Sequence, residues 1–186
     1  VSNPDLLSNT RHAPARSYTE AELRRIAGRV ADPEIPVISI DDLGILRDVT
    51  VDSAGRVEVT LTPTYSGCPA MDEIAADVRR ELAKAGVSEV SVRFVLSPAW
   101  TTEMISPAGR RALEEYGIAP PGPKPASGPV FVTLGALTLG APRPVVTCPQ
   151  CGSSDTGEIS HFGSTACKAL YRCNACLEPF DYFKAL

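Results

Sequence analysis

With 186 residues, 44% of them hydrophobic and 22% charged, the chain is long enough for one ordinary core and a small satellite module. Its net charge of -4 and pI near 5.2 offer no basic surface, which argues against nucleic acid as a partner. The sequence contains no run of eighteen apolar residues and no charged-then-apolar leader pattern, so the expectation is a cytoplasmic chain with no membrane partner.

Residues 1–18 are polar and aperiodic and are expected to form a mobile arm. Thr19 with Glu22 spells a capping box, and Leu23, Ile26, Ala27 and Val30 recur at helical spacing, which predicts a helix over 19–30. The segment "DPEIPVISIDDLG" carries two prolines that favour an extended loop. "ILRDVTV" and "RVEVTLTPT" flank "DSAG" and predict a hairpin. "CPAMDEIAADVRRELAKAG" places Pro69 at a first helical position, acids in the first turn, Ile74, Val78 and Leu82 four apart, and Gly86 at the end, which predicts a second helix. "VSEVSVRFVL" alternates as a third strand, and Ser106-Pro107 starts a short helix that ends near Gly117. The order is that of a small open sheet with helices packed on it. A region dense in proline and glycine follows, then "VFVTLGALTLGAPRPVV", which fits either an added strand of the sheet or an approach to the tail.

The tail holds five of the six cysteines. Cys148 with Cys151 and Cys173 with Cys176 form two CxxC pairs twenty-one residues apart, the spacing of two knuckles that offer four thiolates to one tetrahedral metal. A cytosolic chain keeps its thiols reduced, so metal is favoured over structural disulfides, and a structural zinc over a redox iron site. Cys167 stands outside both pairs. It reads either as a small buried residue or as an exchangeable thiol or extra ligand, whose thiolate Lys168 would favour. His161 reads as a surface or packing residue. In the main domain, Thr62, Thr64, Tyr65, Ser66 and Cys68 precede a helix start, whose amides favour a thiolate, whereas Asp72 and Glu73 oppose it. Asp32, Glu34, Asp41 and Asp42 crowd one loop. There they either cap turns or, with a thiolate, hold iron transiently. The chain has no glycine-rich phosphate loop, no Ser-His-Asp set and no HExxH motif, so a conventional acid-base hydrolase is not expected.

"DPEIPVISIDDLGILRDV", "TPTYSGCPAMDEI" and "PAWTTEMISPAGRRALEEYGI" resemble the MIP18-like (DUF59) family of iron-sulfur assembly factors. With "FGSTACKALYRCNACLEPFDYFK", the whole is similar to the D-subunit family associated with the ring-1,2-phenylacetyl-CoA epoxidase of aerobic phenylacetate degradation. The resemblance implies an α+β chain: a small mixed α/β sandwich over 19–118, a linker region over 119–145, and a four-cysteine zinc-ribbon-like module over 146–186. It also implies a role in maturation more than in catalysis. Cys68 would be the reactive thiol, with Asp32, Glu34, Thr62 and Thr64 around it and Cys167 as a secondary candidate. Iron or an iron-sulfur cluster would be bound transiently. The implied partners are the epoxidase's di-iron hydroxylase subunit or its iron-sulfur flavin reductase. An integral non-catalytic subunit and a thiol-redox protein are the alternatives. Phe180, Tyr182 and Phe183 would either dock the client or cover the metal knuckles, and an exposed edge strand would suit a homodimer.

Overall fold

A computed structural model of the chain describes residues 18–122 and 145–184. Nearly all of the expected arm, most of the expected linker and the run 128–144 lie outside those residues. No helix among the described residues is long and apolar enough to cross a membrane.

Helix α1 spans Glu20–Ala27, shorter than the expected 19–30. Thr19 caps it through the capping box, with the Glu22 amide donating to Thr19 Oγ1 at 3.2 Å and the Thr19 amide donating to Glu22 Oε2 at 2.9 Å. Gly28 is its C-cap, and the absence of a side chain there lets the next loop fold back closely: an added Cβ would lie 3.0 Å from Cβ of Asp41. That loop is not extended. Ala31 bridges Ser39, and Ile35, Ile38, Ile40 and Leu43 turn inward until each is almost fully buried. The prolines break the helix, but the apolar residues between them fold the segment onto the core.

Strands β1 (Leu46–Val51) and β2 (Val57–Leu61) form the predicted hairpin, closed by Asp52, which accepts from the Ala54 and Arg56 amides at 2.9 Å each. Helix α2 spans Ala70–Lys84, with Pro69 as its cap residue, and buries Ile74, Val78 and Leu82. Strand β3 (Val90–Phe94) then pairs parallel to β2, which makes the sheet order β1-β2-β3. Helices α1 and α2 pack against each other and on the sheet, over a core that includes Leu23, Ala27, Val49, Val59 and Leu61. Tyr18, expected in the mobile arm, donates its hydroxyl to the Ala85 carbonyl at 2.8 Å and fastens the chain to the end of α2. Helix α3 (Pro107–Glu115) starts at Ser106, whose hydroxyl accepts from the Gly109 amide at 2.9 Å.

The second sheet has the order β4-β7-β6-β5. Strands β5 (Thr156–Ser160), β6 (Lys168–Cys173) and β7 (Pro179–Phe183) form an antiparallel ribbon. Its fourth strand, β4 (Ile118–Ala119), comes from the end of the first half and runs parallel to β7. It falls across the expected boundary between domain and linker and stitches the two halves together. Ile118 lies in the first core, and its neighbour Ala119 lies in the ribbon core. Trp100 completes the seam. Its indole N–H donates to the Leu43 carbonyl at 2.9 Å, and its ring meets Phe183 at 5.9 Å between centroids.

Candidate metal centre and the cysteines at the seam

The ribbon brings together Cys148, Cys151, Cys173 and Cys176, all with sulfurs within 4.8 Å of one another. Cys148 and Cys176 are 3.8 Å apart, and Cys151 and Cys173 are 3.6 Å apart. Four thiolates about 2.3 Å from one tetrahedral ion would be about 3.8 Å apart, so the donor set fits a four-coordinate metal that accepts sulfur. The two knuckles share one backbone feature. The residue after each second cysteine takes a left-handed conformation, Gly152 at φ 74° and Leu177 at φ 68°. The Cys176 amide lies 3.5 Å from Cys173 Sγ and, with neighbouring donors, pulls that thiol down to about 6. The neighbouring Cys151 and Cys176 thiols are raised, so of these three Cys173 gives up its proton most readily. Tyr171, Phe180 and Tyr182 pack with Cys148 and Cys173 in the ribbon core, while Phe183 faces the first core and is fully buried. These aromatics cover the knuckles and fill the seam; they do not form an exposed docking face.

Cys167 belongs to neither knuckle. It immediately precedes β6, is only 5% exposed, and packs into the core of the first half, against which Cys68 also packs. Its thiol meets Thr165 Oγ1 at 3.0 Å, and its carbonyl accepts from the Lys184 amide at 3.0 Å. Cys68 is half-buried in the loop between β2 and α2. That loop lies where the parallel strands end and the helix begins, the end of a βαβ unit where ligands usually bind. Asp72 and Glu73 were the acids expected to oppose a Cys68 thiolate. In the structure burial pushes the thiol up, the Ala70 amide partly offsets this, and Glu34 and Asp32 add to the rise. Burial also pushes Cys167 up, with Glu34 and Asp32 adding; Lys168 pulls the other way, as expected, but does not win. Both thiols are therefore held neutral near pH 7.

Asp32 is 7% exposed, and its Oδ1 accepts from the Glu34 and Ile35 amides at 2.8 and 2.9 Å. Burial still raises its carboxyl, against those amides and the charge of Lys168. Glu34 is raised by burial and by Asp32, with Lys168 again opposing. The other two acids of the loop have separate tasks. Asp41 pairs with Arg24 at 2.7 Å, and Asp42 accepts from Ser39 and Ser106. Tyr65 packs against the same core as Cys68, and its phenol is raised to about 12, by burial first and then by the Cys68 and Glu34 charges. Thr62 is 1% exposed, and its Oγ1 is the one buried side-chain oxygen or nitrogen without a partner among the described residues. Thr64 is half-buried, and His161 is exposed, edge-on to Phe162 and 3.4 Å from Glu158.

The seam thus gathers two thiols, two raised carboxyls, one phenol and one buried ammonium. Among the described residues, only the four ribbon cysteines present three or more ligand atoms as close as 4.8 Å. The seam is therefore not a closed metal cage. Cys68, Cys167, Asp32 and Glu34 are each recognisable in the sequence as separate candidates. Tyr65 beside Cys68 and Lys168 beside Cys167 are also visible there as neighbours; that the two pairs belong to one cluster is not, because only the docking of the ribbon brings Cys167 and Lys168 to the first half.

Residues 20–94 match the iron-sulfur cluster assembly protein family, and residues 135–184 match the PaaD zinc beta ribbon domain family. Over 165 residues the chain is 45% identical to an Escherichia coli protein whose name, "Putative 1,2-phenylacetyl-CoA epoxidase", assigns it as the D subunit, across 89% of this chain and 92% of that one. Over 89 residues it is 40% identical to an Fe-S protein maturation auxiliary factor of Porphyromonas gingivalis, across 47% of this chain and 84% of that one. A crystal structure of the domain of unknown function DUF59 from Bacillus anthracis is 34% identical, covers 50% of this chain and 90% of that chain, and aligns with a TM-score of 0.48.

Proposed function

Because the chain belongs to the PaaD family of phenylacetyl-CoA epoxidase components, we propose that it is an accessory maturation factor that delivers iron or an iron-sulfur cluster to that multicomponent system. The client would be the di-iron hydroxylase subunit or the iron-sulfur flavin reductase. The observation that carries this reading is the seam: Cys68 from one half and Cys167 from the other, in the field of Asp32 and Glu34. Sulfur together with carboxylate oxygen suits iron, which is intermediate in its ligand preference. Zinc, held by Cys148, Cys151, Cys173 and Cys176, would fold the ribbon and so bring Cys167 to Cys68.

In this reading the chain's residues act as a reversible holder. The thiols rest protonated, so taking up the cargo releases their protons and is stronger at higher pH. Asp32 is held in place by two backbone amides and keeps its other oxygen available. Burial of Cys167 limits access from water.

The test is anaerobic iron, sulfide and zinc analysis of reconstituted wild type, Cys68→Ser and Cys167→Ser. About one retained zinc per chain is expected in all three, with iron present in wild type, lost in Cys68→Ser and at least halved in Cys167→Ser. Iron that ignores Cys68→Ser, or that never binds, overturns the proposal. The name of the Escherichia coli relative supports a second reading, an integral non-catalytic subunit. That reading expects stoichiometric co-purification with the active epoxidase and a loss of activity that added metal does not restore.

A further inference from the structure

Building on the delivery reading above, we infer that Lys168 is a charge placeholder in the cargo site. Its ammonium balances Asp32, Glu34 and Asp181 while the site is empty and weakens the hold on an incoming thiophilic cation, so that the cargo can be passed on.

Lysine is almost never fully buried unless it is paired, yet Lys168 is only 5% exposed. Its ion pair is with Asp181 at 3.5 Å, well beyond the roughly 2.7–2.9 Å of a charge-assisted hydrogen bond. Asp181 is shared, since its Oδ2 also accepts from Ser164 Oγ at 3.0 Å. A lysine that served only to pair with Asp181 would need no further acids around it. This one follows Cys167 directly in sequence, and its charge reaches Asp32, Glu34 and Cys167, the groups proposed to hold the cargo. Among the described residues no arginine acts on Asp32, Glu34 or Cys167, for which Lys168 is the positive group.

Two thiolates and two carboxylates with no counter-charge would bind a divalent transition ion tightly and release it slowly. A fixed positive charge beside them opposes a second cation through a field that falls only with the inverse of distance, and burial limits its screening. The same ammonium keeps the empty cluster from accumulating uncompensated negative charge. The result is a site suited to exchange more than to storage.

The test uses the full chain with its ribbon saturated with zinc and excess zinc removed, titrated with Co(II) against a competing chelator. The readout is the near-ultraviolet cobalt–thiolate charge-transfer band, which must vanish in Cys68→Ser. Lys168→Met is expected to bind Co(II) at least tenfold more tightly than wild type. Lys168→Arg keeps the charge and should not tighten. Equal or weaker binding by a folded Lys168→Met, or equal tightening by Lys168→Arg, overturns the placeholder role and leaves the delivery reading standing. A Cys68-dependent band absent from both wild type and Lys168→Met overturns both. Should Lys168→Met fail to fold because Asp181 loses its cation, the double variant Lys168→Met with Asp181→Asn removes both charges and carries the same expectation.

Discussion

At the scale of single residues, the protonation of Cys68 is the most direct probe of the seam. Its thiol is raised above the ordinary value by burial, with Glu34 and Asp32 adding, so the thiolate is scarce near pH 7 and grows only as pH rises through the raised value. Iodoacetamide should alkylate Cys68 more slowly than a free cysteine at pH 8, with the gap closing in more alkaline solution. Glu34→Gln removes one of the opposing charges and should speed the pH 8 reaction several-fold, as read by mass spectrometry of the modified peptide. No change would mean that burial alone sets the thiol. The same shift has a consequence for stability: the neutral thiol favours the fold below the ordinary cysteine range of about 8.5, and that contribution is lost as pH rises through the folded-state value. Much of this was legible in the sequence, because a cysteine just before a helix start is a local signal. The identity of the opposing acids was not. Asp72 and Glu73 are neighbours in sequence, whereas Asp32 and Glu34 reach Cys68 only through the folded loop.

Among the elements, β6 and β7 do the joining. Phe183, the last residue of β7, is fully buried and faces Trp100 across the seam. Phe183→Ala should cost about 3–5 kcal/mol, the usual range for emptying a buried aromatic site, measured by urea denaturation. It should also make Cys167 open to alkylation in the folded protein, and a Cys167 as protected as in wild type would sink the claim that this contact seals the seam. The sequence told β2, α2 and β3 apart because their apolar periods differ and glycine or proline separates them. The two CxxC knuckles were equally plain, since their spacing is a local property. The path of the aromatic tail was not, because alternation in "PFDYF" says which residues share a face and nothing of what that face covers. Nor did two residues of β4 carry any pattern of their own.

For the molecule as a whole, the chain has one tryptophan, and it sits where the halves meet. Stripping the ribbon metal with a strong chelator should unfold the ribbon, uncover Trp100 and shift its emission to the red, while the helical circular dichroism of α1 and α2 persists. Simultaneous loss of both signals would show instead that the two halves fold as one unit. This arrangement also explains why the role of Cys167 could not be read from spacing. Its surroundings come from the core of the first half and from Asp32 and Glu34, which lie more than a hundred residues away along the chain. Strand β6 has a further consequence. It begins at Lys168, next to Cys167, and ends at Cys173, one of the four cysteines whose arrangement fits a metal, so about 17 Å of one continuous strand connects the proposed cargo site to that cluster. Two binding events that share a rigid element are thermodynamically linked, and the linkage is reciprocal. By whatever factor the ribbon metal strengthens cargo binding, bound cargo strengthens retention of the ribbon metal. If the chain carries metal as proposed, the empty form is therefore expected to lose its ribbon metal first, and the loaded form to be protected by what it carries.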